Sequence, residues 1–117
     1  MEEIGNKNYL SVSPITKEEL IHKLGYNVIK HQETRRLYIW ILKNKGKYIE
    51  PIEITKELFL TRQNIHNKLD YLMIVGILEK VRKKKKIFFR IKDFDMLKKV
   101  IQFAYDNKRI IPSWQKW

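Results

Sequence analysis

The chain is expected to fold as a mainly α domain with a small β-hairpin, an α+β arrangement, and three observations lead there. Apolar residues recur at the three-to-four spacing of amphipathic helices along most of the chain. Two short runs rich in β-branched and aromatic side chains, residues 77–81 and 87–91, bracket Arg82, Lys83, Lys84, Lys85 and Lys86, which reads as a hairpin with a cationic tip. The formal net charge of +12 is unevenly placed: residues 61–92 hold ten basic and two acidic side chains, whereas residues 1–32 balance four against four. At 117 residues, 44% hydrophobic and 12% aromatic, the chain fits one domain with a modest core, residues 1–117, and not a disordered basic tail.

Taken in order, residues 1–14 are polar, close on Pro14 and are expected to form a flexible arm. Thr16-Lys17-Glu18-Glu19 has the spacing of a capping box and predicts a helix over 17–24 that turns Leu20, Ile21 and Leu24 inward, with Gly25 and Asn27 as its stop. A second helix is predicted over 32–44, with Leu37, Trp40 and Ile41 on one face and Tyr38 and Leu42 widening it. The cations Lys43, Lys45 and Lys47 suit its negative end, and Gly46 allows the reversal. Tyr48 and Ile49 are expected to add a short strand to the hairpin. Pro51 fits a first helical position, so a third helix is predicted over 51–59, burying Ile54 and Leu58.

Thr61 then caps a helix over 62–75 whose inward face is Ile65, Leu69, Leu72 and Met73. Its other face holds Arg62, Gln63, Asn64, His66, Asn67, Lys68, Asp70 and Tyr71, among which only Asp70 is acidic. Amides and arginine are the side chains that pair with adenine and guanine edges in a major groove. A solvated, amide-rich helix explains this face equally well by itself. The sequel decides: Gly76 ends the helix in a left-handed turn and the cationic hairpin follows at once. A reading helix followed by a basic hairpin is the layout of a winged helix-turn-helix, with core 32–91 and additional N- and C-terminal helices.

Asp93 is placed to cap a last helix, 94–107, whose stripe of Phe94, Leu97, Ile101, Ala104 and Tyr105 is expected to pack on a second subunit and so make the protein a homodimer. Two tryptophans in 110–117 are expected to cover the dimer or domain surface. Chemistry of other kinds finds no support. Cysteine is absent, and His22, His31 and His66 fall on different elements without a ligand-pair spacing, so no metal and no cofactor are expected. Ser11, Ser13 and Ser113 lie near the chain ends, and four glycines form no phosphate-cradling loop, so an enzyme is not expected. The start Met1-Glu2-Glu3 is acidic and no apolar run approaches membrane-spanning length; a soluble, cytoplasmic protein without membrane contact is expected.

From Thr61 through Ile91 the chain resembles the recognition helix and wing of the ArsR-type winged-helix regulators, with MarR-like and PadR-like relatives also similar. The family pattern, Ser-x-x-x-Val-Ser-x-His-Leu-x-x-Leu, then Gly-Leu-Val, then a basic wing closing on Tyr-Tyr-Arg-Leu, is matched here by Thr61 to Leu72, Gly76-Ile77-Leu78, and the wing ending in Phe88-Phe89-Arg90-Ile91. Upstream, Thr34 to Leu42 is similar to the family's first core helix. The resemblance implies base-reading positions at Gln63, Asn64, Asn67 and Lys68, with Arg62 and His66 close by, and wing contacts at Arg82, Lys83, Lys84, Lys85 and Lys86. It also implies dimerisation through the terminal helices. Two departures are local: Lys84 stands where the wing turn usually has Gly, which predicts a longer or strained, mobile turn, and Phe59 stands where a Gly usually precedes the reading helix. The metal sensing of many family members is not implied, for want of cysteine and paired histidines.

The function expected is therefore that of a sequence-selective, double-stranded DNA-binding protein, a homodimeric transcriptional regulator without metal sensing. Two alternatives remain at this point: a replication, partition or chromatin factor of low sequence specificity, and a winged-helix module that docks an acidic protein.

Overall fold

A computed structural model describes residues 16–108, and the N-terminal arm and the tryptophan-containing tail lie outside the described residues. The elements run α1 (Lys17–Lys30), α2 (Gln32–Lys43), α3 (Pro51–Leu58), α4 (Arg62–Ile74), β1 (Leu78–Lys83), β2 (Lys86–Ile91) and α5 (Phe94–Asp106). This is the α+β layout expected, a winged helix with additional terminal helices.

Local chemistry accounts for most boundaries. The capping box forms at the start of α1: Glu19 N–H donates to Thr16 Oγ1 at 3.0 Å, and Thr16 N–H donates to Glu19 Oε1 at 3.0 Å. The Thr16 backbone N–H, and after it the Thr16 hydroxyl, hold the Glu19 carboxyl below the usual carboxylate range. Thr61 caps α4 by accepting from Asn64 N–H, and Asp93 caps α5 by accepting from Met96 N–H. Gly46 and Gly76 are left-handed at the ends of α2 and α4.

The predicted stop at Gly25 is corrected: α1 continues to Lys30, and Gly25 lies buried inside it. Its role is proximity, because a Cβ there would stand 2.4 Å from a ring carbon of Phe103 in α5. The missing side chain lets Phe103 nest against α1, where His22 stacks on it with centroids 4.5 Å apart and Tyr26 meets it edge-on at 5.4 Å. Helix α1 really ends where Arg35, only 3% exposed, donates from Nη1 to the carbonyls of Val28 and Ile29 at 3.3 and 3.1 Å. Burial lowers the Arg35 pKa, though arginine stays cationic there.

One core gathers the inward faces of all five helices and the hairpin, with Leu24, Val28, Leu37, Ile41, Ile54, Ile65, Leu69, Leu72 and Leu97 fully buried. The two strands pair antiparallel from Leu78 opposite Ile91 to Lys83 opposite Lys86. The third strand expected at Tyr48 and Ile49 is a single bridge, Ile49 exchanging both backbone bonds with Phe89 at 2.7 and 2.8 Å. Pro51 begins a helix immediately afterwards and removes the next ladder donor.

Helix α5 packs on α1 and α2 within the same chain. The expectation that its stripe faces a second subunit is corrected for Leu97 and Ala104, which are fully buried in this one chain and have no surface left to offer. Phe94 and Ile101 are half-buried, the former under the Lys45 ammonium at 3.9 Å, and Tyr105 is 52% exposed.

The link between α3 and α4 is Phe59-Leu60-Thr61, and Phe59 adopts φ 57°, ψ 36° while 88% exposed. A Cβ in that left-handed well costs about 1–2 kcal/mol. The carbonyl of Leu58 accepts from Arg36 Nη2 at 2.8 Å, and Trp40 Nε1 donates to Glu57 at 3.2 Å, so α2 braces the turn from behind. Phe59→Gly is therefore expected to raise stability by about 0.5–1 kcal/mol, the relief of strain being partly offset by a freer unfolded chain. A urea titration checks this, and a lower midpoint would show that the exposed ring contributes packing of its own.

A candidate nucleic-acid interface

Helix α4 is about 20 Å long at 1.5 Å per residue, and its buried line Ile65, Leu69 and Leu72 fixes which residues face outward. Arg62, Gln63 and Asn67 are exposed, and Asn64, His66 and Lys68 are half-buried on the shoulders. All six sequence-predicted residues therefore share one helix and its outward surface. Gln63 Nε2 donates to Asn67 Oδ1 at 3.4 Å, one turn apart. That bond is long enough to be exchanged readily for a better acceptor. Among the described residues Arg62 and Lys68 have no ion-pair partner, so the face is cationic as well as amide-rich.

The second group, Arg82, Lys83, Lys84, Lys85 and Lys86, is exposed at the tip of the hairpin. The longer turn expected at Lys84 is corrected: the loop has two residues, and Lys84 and Lys85 both take positive φ, 47° and 67°. Such a pair matches the right-handed twist of the strands, which is why Asn-Gly or Gly-Gly is the usual occupant. Two lysines here are strained, and adjacent like charges sit at the point of greatest exposure. Lys86 lies 3.8 Å from Glu50, and Lys83 lies 3.9 Å above the Tyr48 ring. Among the described residues Arg82, Lys84 and Lys85 have no such partner.

Sequence reasoning missed what roots the hairpin. Arg90 donates from Nε and Nη2 to Glu79 across the strand pair at 3.0 and 2.7 Å, and from Nη1 to the Tyr48 hydroxyl at 3.3 Å. The hydrogen bond to Glu79, and then its charge, raise the Arg90 pKa. Tyr48 meets Phe88 edge-on, centroids 6.0 Å apart. Glu79 and Arg90 oppose one another in the ladder, so strand pairing held that signal; the strand expected at Tyr48 and Ile49 set Tyr48 beside the hairpin but did not name Arg90 as its partner. Between the hairpin and α4 lies a cleft of about 420 Å³ lined by Arg62, His66, Asp70, Lys80, Glu50 and Phe89 among others, where Lys80 pairs with Asp70 at 3.8 Å.

The histidines are scattered: His22 stacks on Phe103, His31 stands at the junction of α1 and α2, and His66 is in α4. No described helix is long and apolar enough to cross a membrane.

No family model matches the chain, and no curated protein matches it in sequence. Among solved structures it is similar to HlyU from Vibrio cholerae N16961, at 12% identity and a TM-score of 0.53, the match covering 86% of this chain and 100% of that one. At that identity the likeness concerns the fold: a helix-turn-helix of α3 and α4, a two-stranded wing, and flanking helices α1 and α5.

Proposed function

We propose that the chain is a sequence-selective, double-stranded DNA-binding protein that acts as a homodimeric transcriptional regulator and senses no metal. The observation that carries this reading is the pairing of two surfaces: an outward α4 face of Arg62, Gln63, Asn64, His66, Asn67 and Lys68, and beside it a hairpin tip of Arg82 and Lys83 to Lys86. Helix α4 lies in the major groove, with the amides bidentate to adenine edges and Arg62 within reach of guanine or phosphate. The wing lies along the adjacent backbone or minor groove and supplies contacts that position rather than read. In the dimer, the two α4 copies address half-sites about 34 Å apart, one helical turn of DNA. The remaining exposed apolar surface of α5, Tyr105 with half-buried Phe94 and Ile101, contributes to the subunit contact.

Gln63→Ala and Asn67→Ala test the reading. Each is expected to cost about 1–3 kcal/mol on the preferred duplex and little on random sequence. Fluorescence anisotropy on both duplexes at one salt concentration separates the cases. Equal losses on the two would assign these residues to positioning and favour a chromatin-like factor of low specificity.

A further inference from the structure

A second cleft, of about 310 Å³, lies on the other flank of α4 from the hairpin. It is formed by His31, Thr34 and Tyr38 at the α1–α2 corner and by Asn67, Lys68 and Tyr71 of α4, with Asn27 at its edge. By helical geometry His66, in the hairpin-side cleft, and Lys68, in this one, stand roughly 160° apart around α4. The two clefts therefore border the helix on opposite sides.

Their chemistry differs. The hairpin-side cleft contains Glu50 and Asp70, each matched by a lysine. Around the second cleft every side chain carries a hydrogen-bond donor and none is acidic. Helix α2 also opens there, and His31 provides no side-chain cap for its first-turn amides. The N-terminus of this 12-residue helix thus presents unpaired N–H groups and the positive end of its dipole. Glu33 in the same turn is exposed and does not line the cleft. The opposing negative end of α1 at this corner is covered by the Arg35 guanidinium.

The decisive observation is independent of the helix end. Thr34 and Tyr38 line the cleft at 6% and 2% exposure, and neither hydroxyl has a hydrogen-bond partner among the described residues. Buried hydroxyls are nearly always bonded, and two without a partner on residues lining one cavity are costly unless something there bonds them. Burial, and then the neighbouring Tyr71, raise the Tyr38 pKa, which keeps its phenol a donor.

We propose that this cleft seats a phosphodiester of bound DNA, on the strand across the major groove from the wing. The inference rests on the DNA-binding reading of α4 and adds a contact site to it. The groove is about 12 Å wide and a helix with its side chains about 10–12 Å across, so a helix inserted there has a backbone on each flank. One strand meets the hairpin side; the other meets the donor-lined cleft, where Lys68, the Thr34 and Tyr38 hydroxyls and the α2 amides converge on one phosphate. The site is a clamp opposite the wing, fixing how far α4 rotates in the groove.

Thr34→Val and Tyr38→Phe remove the hydroxyls with almost no change of shape. Each is expected to weaken duplex binding about five- to tenfold, equally on preferred and random sequence, while the melting temperature stays level or rises. Lys68→Gln should in addition lower the salt slope by about 0.9. A scan of single methylphosphonate substitutions along the strand across from the wing should find one position per half-site where the wild-type chain loses affinity and Thr34→Val loses little more. Unchanged affinity in both hydroxyl variants, or no such coupled position, overturns the site. Stabilisation of the free protein by millimolar inorganic phosphate, abolished by Thr34→Val while duplex binding is untouched, would also overturn it and assign the cleft to a free anion. A wild-type chain that binds no duplex fails the underlying reading; one that binds while the variants match it fails only this inference.

Discussion

Replacing Lys83, Lys84, Lys85 and Lys86 with alanine is expected to weaken duplex binding roughly a thousandfold per subunit at about 150 mM salt, and to lower the salt slope by about 3.6. The estimate assumes four phosphates neutralised, each releasing about 0.9 of a counterion. The loss should be the same on any sequence, because these contacts carry no base information. Two of the four lysines also touch the protein, Lys83 over Tyr48 and Lys86 beside Glu50, so the full replacement removes support for the hairpin as well as charge. Lys84→Gly with Lys85→Gly separates the two effects. Both positions are left-handed, and glycine relieves them, so the hairpin should be at least as stable as before. Affinity should still fall about thirtyfold and the slope by about 1.8. Titrations at several salt concentrations read both quantities; an unchanged slope would mean that the wing does not lie on DNA.

The largest effect on stability is expected at Gly25. Gly25→Leu should destabilise the fold by about 3 kcal/mol, and Gly25→Ala by about 1–2 kcal/mol despite alanine's better helix propensity. In α1 an added Cβ meets Phe103 at 2.4 Å, and the Phe103 ring is held between His22 and Tyr26. For the ring to withdraw, both stacking contacts have to open. Chemical denaturation checks the figure, and Phe103→Ala in the same background is a control: with the ring gone, Gly25→Ala should turn neutral or stabilising. A destabilisation that survives removal of Phe103 would place the cause elsewhere in α1.

These two predictions divide along what the sequence could disclose. The face of α4 was legible because periodicity is local: Ile65, Leu69 and Leu72 point one way, and whatever stands between them must point the other. The hairpin was legible for the same reason, through alternation and the lysine tip. Thr16, Thr61 and Asp93 disclosed their helix starts because a capping residue and its target amide are three positions apart. What failed depended on distant partners. Gly25 looks like a helix stop until Phe103 is known to lie against it. The stripe on α5 looks unpartnered until α1 and α2 are known to bury Leu97 and Ala104. The Tyr48–Arg90 contact and the cleft beneath Lys68 join residues from separate elements, and no spacing rule connects them. Of the longer or strained turn that Lys84 implies, strain is what the backbone takes, because the pairing of Lys83 with Lys86 sets the loop at two residues.

Whether α4 reads double-stranded DNA is decided by selection of the purified chain against a randomised duplex pool at about 150 mM salt. A recovered motif of two inverted half-sites about 10 base pairs apart, bound through α4 and lost with Gln63→Ala or Asn67→Ala, is expected. Binding that enriches no motif, or no binding at all, would contradict it.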